Sequence, residues 1–72
     1  MNQTMDDLQT RIQRALMNDS RTKEYGVEAL DSNGIVTLRG TVPSYEARDL
    51  VEEVVRGVDG VVSVTNEIDV VR

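Results

Sequence analysis

At 72 residues the chain has room for one domain and one small core, because a chain of this size buries only about 60% of the surface its unfolded form exposes. It contains no cysteine and no histidine, which excludes a disulfide framework and the commonest metal ligands and leaves ideal local structure or association to support the fold. The net charge of −5 lies entirely in residues 25–72, and with only Tyr25 and Tyr45 as aromatics the chain lacks the basic stripe and stacking platform of a nucleic-acid binder.

Thr4 followed by Asp7 fits a helix-capping signature, and Met5, Leu8, Ile12, Ala15 and Leu16 recur at three- and four-residue spacing. This predicts a first helix over about residues 5–17, with Gln9, Gln13 and Arg14 elsewhere on its surface. Asn18, Asp19 and Ser20 end the pattern as turn formers. Alternation over 25–30 and 35–42, interrupted by Asp31-Ser32-Asn33-Gly34, predicts a hairpin whose central Asn33-Gly34 accepts positive φ. In its second strand Val36, Leu38, Gly40 and Val42 share one face, Thr37, Arg39 and Thr41 the other. One face is therefore buried and the other wet.

Pro43 stops that strand and Ser44 can cap a helix carrying Ala47, Leu50, Val51, Val54, Val55 and Val58 at helical spacing. Helix 2 is expected over about residues 44–56, with Arg48, Glu52 and Arg56 in four-residue steps on its solvated side. Gly57 is placed for a left-handed cap on which Val58 folds back. A turn at Asp59-Gly60 leads to a third strand in which Val62, Val64, Asn66, Ile68 and Val70 alternate with Ser63, Thr65, Glu67 and Asp69.

The expected fold is α+β, a two-layer α-β-β-α-β domain spanning residues 1–72. A three-stranded mixed sheet in the order 1-2-3 carries both helices on one face and leaves Thr37, Arg39, Thr41, Thr65 and Glu67 on an open polar face. Strands 1 and 3 are its edges.

Gly34-Ile35-Val36-Thr37-Leu38-Arg39-Gly40-Thr41-Val42, then a helix, Val58-Asp59-Gly60-Val61 and the Val64-x-Asn66-x-Ile68-x-Val70 tail together resemble a BON domain, the module named for bacterial osmotically induced and nodulation proteins. The resemblance covers nearly the whole chain. It implies a non-enzymatic, stress-related bacterial module, often in tandem or fused to other domains, associated with envelope proteins and with binding of phospholipid or partner proteins. Some relatives are described as binding potassium ions. The family's glycines map onto Gly34, Gly40 and Gly60, read as a turn, a close helix approach to a strand and a second turn. This chain departs from envelope members in showing one copy and no signal peptide. As written it is expected in the cytoplasm, and in the periplasm if it is a trimmed piece of a longer parent.

Candidate chemistry reduces to structure. Asp31-x-Asn33-Gly34 lacks the further ligands of a calcium loop. Asp6-Asp7 and Glu52-Glu53 are helix neighbours that point apart, so neither forms an acid-base dyad. Ser44 and Thr4 have no activating histidine or lysine and read as caps. Tyr45 reads as an edge-of-core residue with a wet hydroxyl. Asn66, polar on an apolar strand face, is expected to bond loop or helix-end backbone. No catalytic residue, cofactor or metal is expected.

The paired valines Val61-Val62 and Val70-Val71 put apolar groups on both faces of strand 3, and an exposed edge with apolar flanks recruits other strands. The chain is therefore read as a non-catalytic protein-interaction or self-associating module, its contact surface drawn from Thr37, Arg39, Thr41, Val61, Val70 and Val71. Peripheral phospholipid binding, needing Arg11, Arg14, Arg21 and Lys23 to gather, and potassium binding are the alternatives.

Overall fold

A computed structural model of the chain describes residues 7–71. Its elements are α1 (Leu8–Asn18), β1 (Glu28–Ser32), β2 (Ile35–Val42), α2 (Tyr45–Arg56) and β3 (Ser63–Val70). β2 is central, antiparallel to β1 and parallel to β3. The mixed sheet, its strand order and the α+β class are those expected.

Helix α1 starts later than the sequence pattern places it. Asp7 has extended backbone and its carboxylate accepts the Thr10 N–H at 2.9 Å, so Asp7 is itself the N-cap. The expected Thr4 cap and the Met5 position lie outside the described residues. At the other end Thr22, the one buried polar residue among those described, donates its hydroxyl to the Leu16 carbonyl at 2.8 Å, satisfying a terminal acceptor.

The hairpin turn has Asn33 at φ 55° and Gly34 at φ 88°, the positive pair that matches strand twist. Asp31 Oδ1 accepts the Gly34 N–H at 2.9 Å, so its carboxylate supports the turn. β1 begins at Glu28 instead of Tyr25, because Tyr25–Val27 is closed into a turn by the Val27 N–H donating to the Tyr25 carbonyl at 2.9 Å.

That turn explains Gly40. A Cβ there would lie 2.6 Å from the Gly26 carbonyl oxygen and 3.2 Å from Val27 Cα, and its φ is 137°. The expected close approach is real, but a loop makes it, not a helix. Gly57 also corrects the expectation: its φ of −78° and ψ of −5° are right-handed, and its N–H bonds the Glu53 and Val54 carbonyls. Because the helical hydrogen bonding simply runs one residue further, no left-handed cap is required, and Val58 still packs back onto the core.

Ser44 accepts the Ala47 N–H at 3.1 Å and starts α2 as expected. The core is Ile12 and Leu16 from α1, Ala29, Val36, Leu38, Val42 and Ile68 from the sheet, and Ala47, Val51 and Val55 from α2. All strand members of this set lie on one sheet face, because side chains alternate along a strand, so both helices cover that face.

Two predictions follow from these contacts. Gly40→Ala should lower stability by about 2 kcal/mol or more in urea titration, through backbone strain and the contact with Gly26. Gly26→Ala, with nothing within 4 Å of its added Cβ, should leave the midpoint unchanged. Hydrogen bonds from Thr10, backbone first and then hydroxyl, hold the Asp7 carboxyl below its ordinary 3.8, helped by Arg11. A lowered folded pKa stabilises the fold fully above the unfolded value, and that contribution disappears as pH falls from 3.8 through the folded value. Helicity of α1 should therefore fray in that acid range, and Asp7→Asn, which keeps an uncharged cap, should flatten the local acid response in an NMR titration.

Candidate sheet-edge interface

A three-stranded sheet has two edges, and the outward backbone groups of each need partners or water. The two edges of this sheet are treated differently.

On β1 the outward groups belong to Ala29 and Asp31. Gln9 of α1 donates its side-chain amide to the Ala29 carbonyl and accepts the Asp31 N–H at 2.7 Å. Those are the two bonds that one residue of a parallel neighbouring strand would make. Gln13 adds a second donor to the Ala29 carbonyl at 3.2 Å. Both glutamines were read from sequence as ordinary surface residues. Their spacing by four residues was visible, but the strand they cover was not.

On β3 the parity of the ladder identifies the outward groups. The Val71 N–H donates to the Val42 carbonyl at 2.9 Å, and the Gly34 carbonyl accepts from the Ser63 N–H at 3.3 Å and, just ahead of the strand, from the Val62 N–H at 2.8 Å, so within β3 (Ser63–Val70) the odd-numbered residues face β2. The even-numbered residues Val64, Asn66, Ile68 and Val70 then direct their backbone groups outward. Among these outward amides, only the Ile68 N–H has a partner among the described residues: Asn66 Oδ1, 3.1 Å away.

Asn66 is placed differently from its sequence reading. Its Nδ2 donates to Glu52 Oε1 at 3.0 Å, and the other carboxylate oxygen of Glu52 accepts from Arg56 at 2.9 Å. The partners are a mid-helix carboxylate and its own strand, not loop or helix-end backbone. Asn66 sits midway along β3 beneath the flank of α2, out of reach of the strand ends.

The rest of the expected surface falls into three places. Arg39 and Thr41 are exposed and Thr37 half-buried on the open face, where Arg39 pairs with Glu67 at 3.2 Å. Two apolar residues share that face: Leu30, opposite Thr37, and Ile35, opposite Ser32 and Ser63, are 43% and 49% exposed. Val61 and Val70 pack against the core. Val62 and Val71 are 77% and 60% exposed at the two ends of β3. Tyr45 is exposed, with the Arg48 guanidinium 5.1 Å above its ring, a cation-π contact.

Two of the basic groups are engaged locally. Arg11 donates to the Asp59 carbonyl at 2.9 Å, and Arg21 grips Asp19 through two nitrogens at 3.1 and 2.9 Å. Among the described residues no group of three or more acidic, histidine or cysteine side chains is arranged to hold a metal ion, and no helix is long and apolar enough to cross a membrane.

Removing the Gln9 amide exposes the difference between the edges. Gln9→Ala should destabilise the domain by about 1 kcal/mol and accelerate hydrogen exchange at the Asp31 amide, while exchange at Val64 and Val70 stays as it was.

Comparisons with known proteins identify the family. The family model described as BON domain matches residues 4–72. Over 66 residues the chain is 35% identical to the outer membrane lipoprotein DolP of Haemophilus influenzae, a match covering 90% of this chain and 34% of that protein. The chain thus spans about a third of the length of this relative. It belongs to the BON domain family.

Proposed function

We propose that this BON domain is a non-catalytic binding module of the bacterial envelope that docks protein partners along the outer edge of β3. One observation carries the reading: β1 is closed by Gln9 and Gln13 of α1, whereas β3 offers eight residues of strand whose outward amides, among the described residues, are restrained at Ile68 alone. An added strand gains main-chain hydrogen bonds from such an edge, and alternate side chains supply selectivity. Exposed Val62 and Val71 extend the apolar contact at both ends. Envelope placement is supported by the outer membrane lipoprotein among its relatives.

A photoreactive amino acid at Thr65 on β3, with Glu28 on β1 as control, tests the docking edge in cells that produce the chain. Discrete covalent adducts should form from Thr65 and not from Glu28. Equal yields from both positions, or none from Thr65, would contradict the reading.

A second reading, peripheral binding to phospholipid, is favoured by that same relative. Against it stand the net charge of −5 and the engagement of Arg11 and Arg21 with Asp59 and Asp19, which leave little cationic potential for an anionic surface. Flotation with vesicles containing anionic lipid at low salt should leave the domain in the soluble fraction. Co-flotation abolished by salt would make lipid the primary ligand.

A further inference from the structure

We propose that the partner accepted by the β3 edge is a second copy of this chain, paired antiparallel about Asn66 so that two three-stranded sheets become one continuous sheet. This rests on the edge-docking reading and names its occupant.

Backbone geometry sets the first constraint. Outward groups belong to the even-numbered residues, so two copies related by a two-fold axis normal to the sheet hydrogen-bond even residues to even residues. Both helical layers then lie on the same side.

Side chains choose the register. With Asn66 opposite Asn66 of the second copy, Val64 meets Ile68 on the helical side, and Val62, which lies just ahead of the strand with its N–H turned inward to the Gly34 carbonyl, comes alongside Val70. On the open side Thr65 meets Glu67 and Ser63 meets Asp69. Each apolar residue meets an apolar one, and every acid meets a hydroxyl. Centring the pair on Glu67 instead sets two glutamates directly opposite each other. Centring it on Thr65 sets Val64 against Asn66 and Val61 against Asp69. Cross-strand pairing energies disfavour both. The Asn66 register also covers Val62, the most exposed large apolar side chain among the described residues.

Asn66 restrains this pairing as well as centring it. In the paired sheet the Ile68 N–H donates to the Val64 carbonyl of the second copy, and so must leave Asn66 Oδ1, which holds it in the single chain. The contact with Glu52 keeps Asn66 in that holding position. Association is therefore weak and reversible, in keeping with an interface of one strand edge per copy, below about 1,000 Å².

Sedimentation equilibrium from about 10 µM to about 1 mM, the range suited to so small an interface, should show a monomer–dimer equilibrium. Thr65 is exposed, so its variants should keep the monomer fold, checked by circular dichroism. Symmetry doubles each change: Thr65→Glu opposes Glu67 twice and should weaken the dimer by about tenfold, while Thr65→Lys should strengthen it by a similar factor. Since the chain has no cysteine, the register can be read covalently. A mixture of Thr65→Cys and Glu67→Cys chains should form the mixed disulfide, and neither variant should link to itself. A monomer at all concentrations, a dimer indifferent to both Thr65 charges, or self-linking within one variant overturns the self-pairing. If the chain stays monomeric while the Thr65 photoprobe forms adducts with another protein, only the choice of partner falls; failure of the photoprobe removes the docking edge itself.

Discussion

Every element of the domain depends on β2 being paired along both of its sides. Its eight residues supply Val36, Leu38 and Val42 to the core and hold β1 and β3 in place. Because it has no free edge, its register fixes which residues of both neighbours face the helices. A one-residue slip would turn that apolar set outward and leave Ile12, Leu16, Val51 and Val55 without a surface to cover. The cost of holding this strand appears at Gly40, where the chain after α1 passes so close that a Cβ has no room.

With one strand central, the fold must dispose of two edges, and it does so with side-chain amides. Gln9 and Gln13 stand in for a missing strand beside β1, using an amide group that has the same donor and acceptor as a peptide bond. Asn66 performs a smaller version on β3, covering one amide and tied through Glu52 to Arg56. The glutamines come from a helix anchored in the core by Ile12 and Leu16, so that closure is built in. The asparagine belongs to the edge strand itself and is held by an ion pair whose arginine is two-thirds exposed, a contact that water and salt weaken easily. Hence the two edges differ in how readily they open, and the proposed docking falls on the weaker one.

The charge distribution points the same way. Several of the cations engage local carboxylates or carbonyls, as Arg21 does with Asp19, Arg39 with Glu67, Arg56 with Glu52 and Arg11 with Asp59. The remaining net negative surface does little to attract polyanions. Recognition by backbone hydrogen bonding and small apolar contacts suits a surface of this kind better than recognition by charge.

The sequence by itself determined the element order, the mixed sheet and the buried face. Those are carried by local signals: Asn33-Gly34 needs positive φ, Pro43-Ser44 ends a strand and caps a helix, and periods of two and about 3.6 separate strands from helices. The family was legible for the same reason, since its glycines and strand pattern are local. Three local readings failed, two where a distant residue decided the outcome and one where the helix ran on. Gly40 was crowded by a loop and not by a helix, Gly57 continued the right-handed hydrogen bonding, and Asn66 found a mid-helix carboxylate. The candidate site was the least legible part. That Gln9 and Gln13 close one edge while Asn66 restrains the other depends on where α1 and α2 land on the sheet. Only the tertiary structure decides that, because an amide's value as an edge cap is set by the backbone group brought within about 3 Å of it, and no spacing along the chain encodes that distance.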